Sequence, residues 1–415
     1  MGSTPPSPDR ILEHRKSYPK PAAPISPVLS FDSFGKSCKP HTPSILDIQN
    51  KLHVTSGRAA IALALKHAGI NPGDQVLVPA YHCESMISPV HHVGATPVFF
   101  RIKADTSIDL DDCKHKVSLK TRAMIVTHYF GLAHHLKAIR LFCDAHNMVL
   151  IEDCAHSLFG QQDGVAIGST GDYAIASTMK FFPVFDGGIL ASNKHSLDNI
   201  QLARPPIAFE LKSALTIIER AISYNRLGIT GKIISLFARI KDSLWGIVKK
   251  LRGSRDKSHS SPASAEGGFG LDPQWINIHT SRASRFILEK CCKQRAVSLR
   301  TKNYSVYASK LSNLPGCTPL YKLTSSHIPL VFAARFENCE AIFDRLKREA
   351  VPIWRFGEFL DVEITQAAYP VSYDYSQSIL QFPCHQEMYS EEIDWIIERI
   401  QAACIDINTK TPTNR

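Results

Sequence analysis

Short apolar runs of strand length alternate with helix-length stretches through the first half of the chain. Gln75 to Val78, Pro97 to Arg101, Ala123 to Thr127, Met148 to Ile151 and Asp172 to Ala176 read as buried strands. The Ala/Leu/Ile run after Ser56-Gly57-Arg58 reads as a helix before the first of them, and between them lie helical stretches at Ser85 to Gly94 and His134 to Asn147. Strands that alternate with helices predict an α/β architecture, a mainly parallel sheet with helices on its faces. From Leu271 the pattern changes. It predicts one long helix over Ser281 to Leu311, a strand at Ile328 to Ala334, a helix at Asn338 to Ala350, a strand at Val351 to Phe356 and a last helix at Ser390 to Ala403. The chain thus divides into a proline-rich, flexible N-terminal arm at 1–30, a large domain at 31–280, and a connecting helix with a smaller α+β domain at 281–415.

Two strand ends carry chemistry. Met148 to Ile151 closes on Glu152-Asp153, and Asp172 to Ala176 leads through Ser177 to Lys180. Ligands of open parallel sheets collect beyond the carboxyl ends of the strands, so Asp153 and Lys180 are expected to meet there. An acid and an amine on one small molecule suit pyridoxal phosphate, whose aldehyde takes a lysine and whose ring nitrogen takes a carboxylate. Ser56-Gly57 opens a helix and can cap it, and the free N–H groups at a helix start favour a phosphate.

Composition changes this picture little. The chain has 415 residues, 44% of them hydrophobic, and eleven cysteines without a CxxC pair. This points to reduced thiols and a cytoplasmic setting. No apolar run approaches the roughly 20 residues of a membrane span. The net charge is +10, and Glu210 to Lys257 holds eleven Lys/Arg against four Asp/Glu. The basic balance therefore belongs mostly to one segment. No recognised nucleic-acid module accompanies it, and no nucleic-acid partner is expected.

The order of Ser56-Gly57, Pro72-Gly73-Asp74, Pro79, Gly94-Ala95-Thr96-Pro97-Val98, His128-x-x-Gly131, Glu152-Asp153-x-Ala155-His156, Gly168-Ser169-x-Gly171-Asp172, Lys180 and Asp186-Gly187-Gly188 resembles the DegT/DnrJ/EryC1/StrS aminotransferases. These are sugar aminotransferases of pyridoxal phosphate fold type I. The resemblance implies that Ser56, Gly57 and Arg58 hold the cofactor phosphate, that Asp153 meets the ring nitrogen and that His156 lies beside the ring hydroxyl. It implies that Ser177 reaches the phosphate and that Lys180 binds the cofactor aldehyde. Asn277 resembles an asparagine donated by a neighbouring subunit, so a homodimer with shared active sites is implied. The implied reaction moves an amino group from glutamate or glutamine to a nucleotide-linked keto sugar, and no metal is expected.

The sequence departs from the pattern at several points. Ser-Gly-Arg replaces Ser-Gly-Thr, Ser177 stands three rather than five residues before Lys180, and Asp186 and His279 replace Glu and Arg. His82 and Cys83 stand where Thr and a ring-stacking aromatic are usual, which leaves Tyr81 and His82 as the candidates for stacking. Two other readings remain. One is a sugar dehydratase or deoxygenase, against which Lys180 argues because such relatives carry histidine there. The other is a non-catalytic regulatory protein on the same fold.

Between Ala191 and Asn277 the chain exceeds the family pattern by some tens of residues, with a basic amphipathic insertion at about 208–268. Ile233, Leu236, Phe237, Ile240, Leu244, Ile247, Val248 and Leu251 recur at three- and four-residue steps among Lys and Arg. Two readings stand for 229–256: a helix lying in an anionic membrane surface, or a helix packed on the dimer or over the active-site mouth.

Overall fold

A computed structural model describes residues 18–35, 41–231, 233, 270–324 and 326–410. The first sheet contains β1 (Lys51–Val54), β2 (Gln75–Pro79), β3 (Thr96–Phe100), β4 (Thr121–Thr127), β5 (Val149–Asp153), β8 (Tyr173–Ser177) and β9 (Gly188–Ala191). A small hairpin of β6 (Gln161–Gln162) and β7 (Val165–Ala166) stands apart. The sheet order is β1-β9-β8-β5-β4-β2-β3. The five strands from β8 to β3 are parallel, and β9 runs antiparallel to both β8 and β1. Its helices are α1 (Gly57–His67), α2 (Glu84–His92), α3 (Leu110–Lys116), α4 (Lys137–Ala145) and α5 (Ile207–Ser223). Buried runs such as Val76-Leu77-Val78 and Ala174-Ile175-Ala176 identify strands covered on both faces, as parallel sheets require.

The second sheet is antiparallel, ordered β10 (Cys317–Pro319), β11 (Val331–Phe336), β12 (Ile379–Pro383). It packs with α7 (Lys293–Leu311), α8 (Cys339–Arg348), α9 (Pro370–Ser378) and α10 (Ser390–Lys410), while α6 (Arg282–Lys290) lies against α5. No described helix is long and apolar enough to cross a membrane.

Three expectations are corrected. The long helix over 281–311 is two helices, broken at Cys291 and Cys292, whose ψ angles of 140° and 101° are extended. The break lets Cys291 bridge Phe34 and lets the Cys292 N–H donate to the Ser33 carbonyl. The segment Val351 to Phe356 is not a ladder strand: Pro352 has no N–H to give, and only Trp354 bridges to Gln381. Its place in the sheet is taken by β12. Residues 18–30, expected in a flexible arm, are fastened down. Tyr18 hydroxyl donates to Asp344, Ala22 N–H to the Ala350 carbonyl, and Ser30 hydroxyl to Glu387 at 2.7 Å. Of the expected 229–256 helix, residues 232 and 234–256 lie outside the described residues.

Candidate active site

Register brings the parallel strand ends together. Thr127 on β4 is level with Asp153 on β5, Asp153 is level with Ile175 on β8, and Ser177 at the end of β8 faces Gly188. One short 3₁₀ turn, Thr178 to Lys180, then carries Lys180 back over those ends. The space above is a cavity of about 470 Å³, lined by Ser56, Gly57, Arg58, Asp153, His156, Ser177 and Lys180 among others. Seven of the eight residues expected at the site thus line one cavity.

The phosphate-side geometry follows from three close approaches. Ser56 caps α1, its hydroxyl accepting the Ala59 N–H at 3.2 Å, and the first N–H groups of a helix have no intrahelical acceptor. A Cβ on Gly57 would lie 3.6 Å from the Ser177 Cβ, so Ser177 reaches the helix start despite its unusual spacing. A Cβ on Gly188 would lie 2.2 Å from the Ser56 carbonyl carbon and oxygen, which explains a glycine there. Gly188→Ala is expected to push Ser56-Gly57 out of place, costing about 2–4 kcal/mol. Denaturant unfolding together with cofactor affinity by equilibrium dialysis checks this; an unchanged affinity would contradict it.

Charge in the cavity is tuned by burial. Lys180 is surrounded by protein, and burial lowers its pKa, opposed by Cys83 and Asp153 and assisted by Arg58. Burial raises the Asp153 pKa, while the Ala155 N–H at 2.9 Å and the charges of Lys180 and His128 lower it. The His156 pKa is held well below 6.5 by burial and by Lys180, so its imidazole is neutral. Its ring stacks on Phe130 at 5.7 Å, and its buried Nδ1 has no hydrogen-bond partner. Burial also lowers the pKa of Arg58, whose guanidinium donates to the Gly270 carbonyl at 2.5 Å.

The lowered Lys180 pKa has a consequence for stability. Unfolded chains keep this lysine protonated up to about pH 10.4, so between the folded and unfolded pKa values the unfolded state binds more protons and stability rises with pH. Lys180→Met, measured without cofactor, is therefore expected to raise the unfolding midpoint at neutral pH, by a margin that shrinks toward alkaline pH. A margin that grew with pH would contradict this.

Other expected residues fall elsewhere. Asn277 is exposed and outside the cavity lining, its carbonyl accepting the Ala203 N–H. Neither candidate for ring stacking lines the cavity. His82 stacks on Phe99 at 4.9 Å and accepts the Asp361 N–H, while Tyr81 packs against Tyr129 and Phe356. Cys83 enters the cavity instead, its thiol pKa raised by burial. His128, left unassigned by the sequence, lies 3.0 Å from Glu152. Glu152 also accepts the N–H groups of Gly168, Thr170 and Gly171, which pins the loop before β8. Burial raises the Glu152 pKa, but these bonds outweigh it and leave the pKa lowered. The ligand atoms of His128, Glu152 and Cys154 lie within 4.8 Å of one another, yet the carboxylate oxygens are occupied by these donors.

Four contributors carry no local signal in the sequence. Arg300 on α7 is fully buried, donates to the Lys180 carbonyl at 2.9 Å and lies over the Phe181 ring. Arg220 on α5 and Ile25 with Ser26 in the N-terminal segment also line the cavity.

A helix start opening on the cavity, a buried acid, a neutral histidine with an orphaned nitrogen and a lysine fit pyridoxal phosphate as a group. Comparison with known proteins agrees. GDP-perosamine synthase of Vibrio cholerae is 32% identical over 154 residues, which is 36% of this chain and 41% of that protein. The match therefore spans less than half of that relative's length. Among solved structures, aminotransferase TlmJ from Streptoalloteichus hindustanus is similar with a TM-score of 0.60 at 20% identity, over 86% of this chain and 87% of that one. Spr1654 from Streptococcus pneumoniae, in its PLP form, gives 0.58 at 19%, over 87% and 88%. At such identities the likeness shows the fold, that of the aminotransferases. Residues 45–225 match the model of the DegT/DnrJ/EryC1/StrS aminotransferase family, to which this part of the chain is similar.

Proposed function

We propose that this protein is a pyridoxal phosphate-dependent aminotransferase that moves an amino group from glutamate or glutamine to a nucleotide-linked keto sugar. The observation that carries the reading is Lys180, set in one cavity with Asp153 and the Ser56-Gly57 helix start. Ser56, Gly57, Arg58 and Ser177 hold the cofactor phosphate, Asp153 meets its ring nitrogen and His156 lies beside its ring hydroxyl. When bound, the cofactor supplies an electron sink that lets a proton leave the carbon bearing the amino group. Lys180 moves that proton: burial favours its neutral amine, the form that accepts one. Asp153, whose own burial disfavours its charge, holds its anionic form by pairing with a cation. Neutral His156 offers a hydrogen bond without adding a competing positive charge.

The 31–280 portion binds the cofactor, and 281–415 closes the cavity with Trp354, Arg355 and Phe356. Asn277, exposed and away from its own cavity, serves the site of a second copy in a homodimer. Ile229 and Ile233 are 77% and 51% exposed at the head of the basic insertion, which favours peripheral contact with a membrane surface in the cytoplasm. Flotation with anionic liposomes checks that contact; wild type that stays unbound removes it. The activity is tested by offering keto sugars on uridine, guanosine and thymidine diphosphates with glutamate and measuring 2-oxoglutarate. Absence of 2-oxoglutarate from glutamate, and of 2-oxoglutaramate when glutamine is substituted, with every acceptor would refute the reading.

A further inference from the structure

Strand β12 sets one polar side chain into an otherwise apolar row. Residues paired across antiparallel strands point their side chains to the same face, and successive residues alternate. Gln381 pairs with Ala333 on β11 and bridges Trp354 on its other side. Its chain neighbours Leu380 and Phe382, like Phe332 and Ile353, belong to the core around the second sheet. Ala333 and Ile379 belong instead to a core of the first sheet, and Trp354 packs against it. Gln381 therefore faces the first sheet, where it lines the Lys180 cavity with Trp354 and Val331.

Its carboxamide is held there without a partner. The backbone N–H and carbonyl of Gln381 are both spent on Trp354, at 3.0 and 3.2 Å. The residue is 1% exposed, and neither its Nε2 nor its Oε1 has a hydrogen-bond partner. A buried donor and acceptor left unmet cost free energy that an apolar side chain of the same length would not. A ligand in the cavity removes that cost, because the terminal amide torsion is soft and can turn both groups toward it. Two other polar side chains of this wall are committed elsewhere. Arg355 pairs with Glu340 and lies 4.3 Å from the Phe343 ring centre, and His385 is spent at both nitrogens, on the Pro24 carbonyl and the Glu387 N–H.

The chemistry of the orphaned group defines what it can take. A carboxamide presents a donor and an acceptor side by side and carries no charge. A carboxylate offers acceptors only, so it would satisfy Nε2 and oppose Oε1. A ligand with a donor and an acceptor on neighbouring groups satisfies both. We infer that Gln381 is a specificity-determining residue whose carboxamide takes up such a pair on the substrate, from two adjacent hydroxyls of a sugar ring or from the side-chain carboxamide of glutamine. This rests on the aminotransferase reading and adds to it the group that the second sheet recognises.

The test compares the cofactor-loaded full chain with Gln381→Met, which keeps the length and removes both hydrogen-bonding atoms, and with Gln381→Leu. Without substrate, the denaturant midpoint of at least one variant is expected at or above that of wild type, because the unmet groups are gone. A midpoint lowered in both would make Gln381 structural and overturn the inference. In the donor arm, cofactor absorbance is titrated with glutamine and with glutamate. In the acceptor arm, calorimetry measures UDP-glucose, GDP-mannose and dTDP-glucose against UDP, GDP and dTDP. If the carboxamide of glutamine is the ligand, Gln381→Met raises half-saturating glutamine about tenfold and leaves glutamate within about twofold. If sugar hydroxyls are, it removes about tenfold of the affinity for at least one nucleotide sugar and leaves its diphosphate within about twofold. Both arms unchanged in Gln381→Met would overturn the inference. Wild type whose cofactor absorbance responds to neither amino acid would remove the aminotransferase reading, while the acceptor arm still decides the role of Gln381.

Discussion

Lys180→Ala is expected to abolish turnover, with a fall of at least about 10⁴-fold, because in the proposed function one side chain supplies both the covalent attachment of the cofactor and the mobile proton. Borohydride reduction of the loaded wild type should fix the cofactor on the peptide containing Lys180, and the variant should show no such adduct. The surrounding cavity stays in place when Lys180 is shortened, since Ser56, Gly57 and Ser177 are held by backbone close approach rather than by the lysine. Cofactor can therefore still bind the variant reversibly. Transamination retained by Lys180→Ala would end the assignment outright, since no second lysine lines the cavity among the described residues.

The second large effect is one of architecture. Arg300→Ala should destabilise the protein by about 3–5 kcal/mol, from the lost packing of a large buried side chain and from carbonyls left without donors. The guanidinium donates to the carbonyls of Lys180 and Leu330 at 2.9 Å each and to the Gln386 side chain at 3.1 Å. Those partners lie in the turn that carries Lys180, in the segment before β11, and in the loop after β12. One side chain thus ties the Lys180 turn to the second sheet. Burial lowers the Arg300 pKa to about 10, so the group remains charged across the neutral range. Arg300→Lys keeps a charge but cannot reach all three acceptors, and its loss should be intermediate. Denaturant midpoints for the three proteins would decide the matter; a midpoint for Arg300→Ala equal to wild type would refute the account.

The site was legible in the sequence where its chemistry is written by local pattern. Ser56 caps α1 because a cap hydroxyl and the helix after it are neighbours in the chain. Asp153 stands at a strand end because an apolar run stops there. Lys180 follows Ser177 by one short turn, so its placement needs only the end of β8. Even Gly188 could be flagged from the Asp186-Gly187-Gly188 motif, although its reason, the Ser56 backbone across the sheet, could not.

What failed were expectations that needed a partner from far along the chain. Val351 to Phe356 had strand composition, yet β12 occupies the sheet because its pairing partner β11 is chosen by packing, not by propensity. The unbroken helix over 281–311 had good periodicity but yields to a bridge with Phe34, more than 250 residues earlier. The proline-rich N-terminus looked unattached because its anchors, Asp344, Ala350 and Glu387, all lie beyond residue 340. Tyr81 and His82 were equivalent as stacking rings until Phe99 and the Asp361 N–H claimed His82.

By itself, then, the sequence determined the alternation of strands and helices, the acid and lysine at adjacent strand ends, and the helix start proposed to cradle an anion. Each depends on periodicity, caps and strand termini, which act over a few residues. The tertiary structure alone decided that Arg300 braces the Lys180 turn, that Arg220 reaches the cavity from α5, and that Ile25 and Ser26 close its wall. These are contacts between segments about 120 or more residues apart in one case and over 150 in another, and no local spacing encodes which distant backbone a buried guanidinium will satisfy.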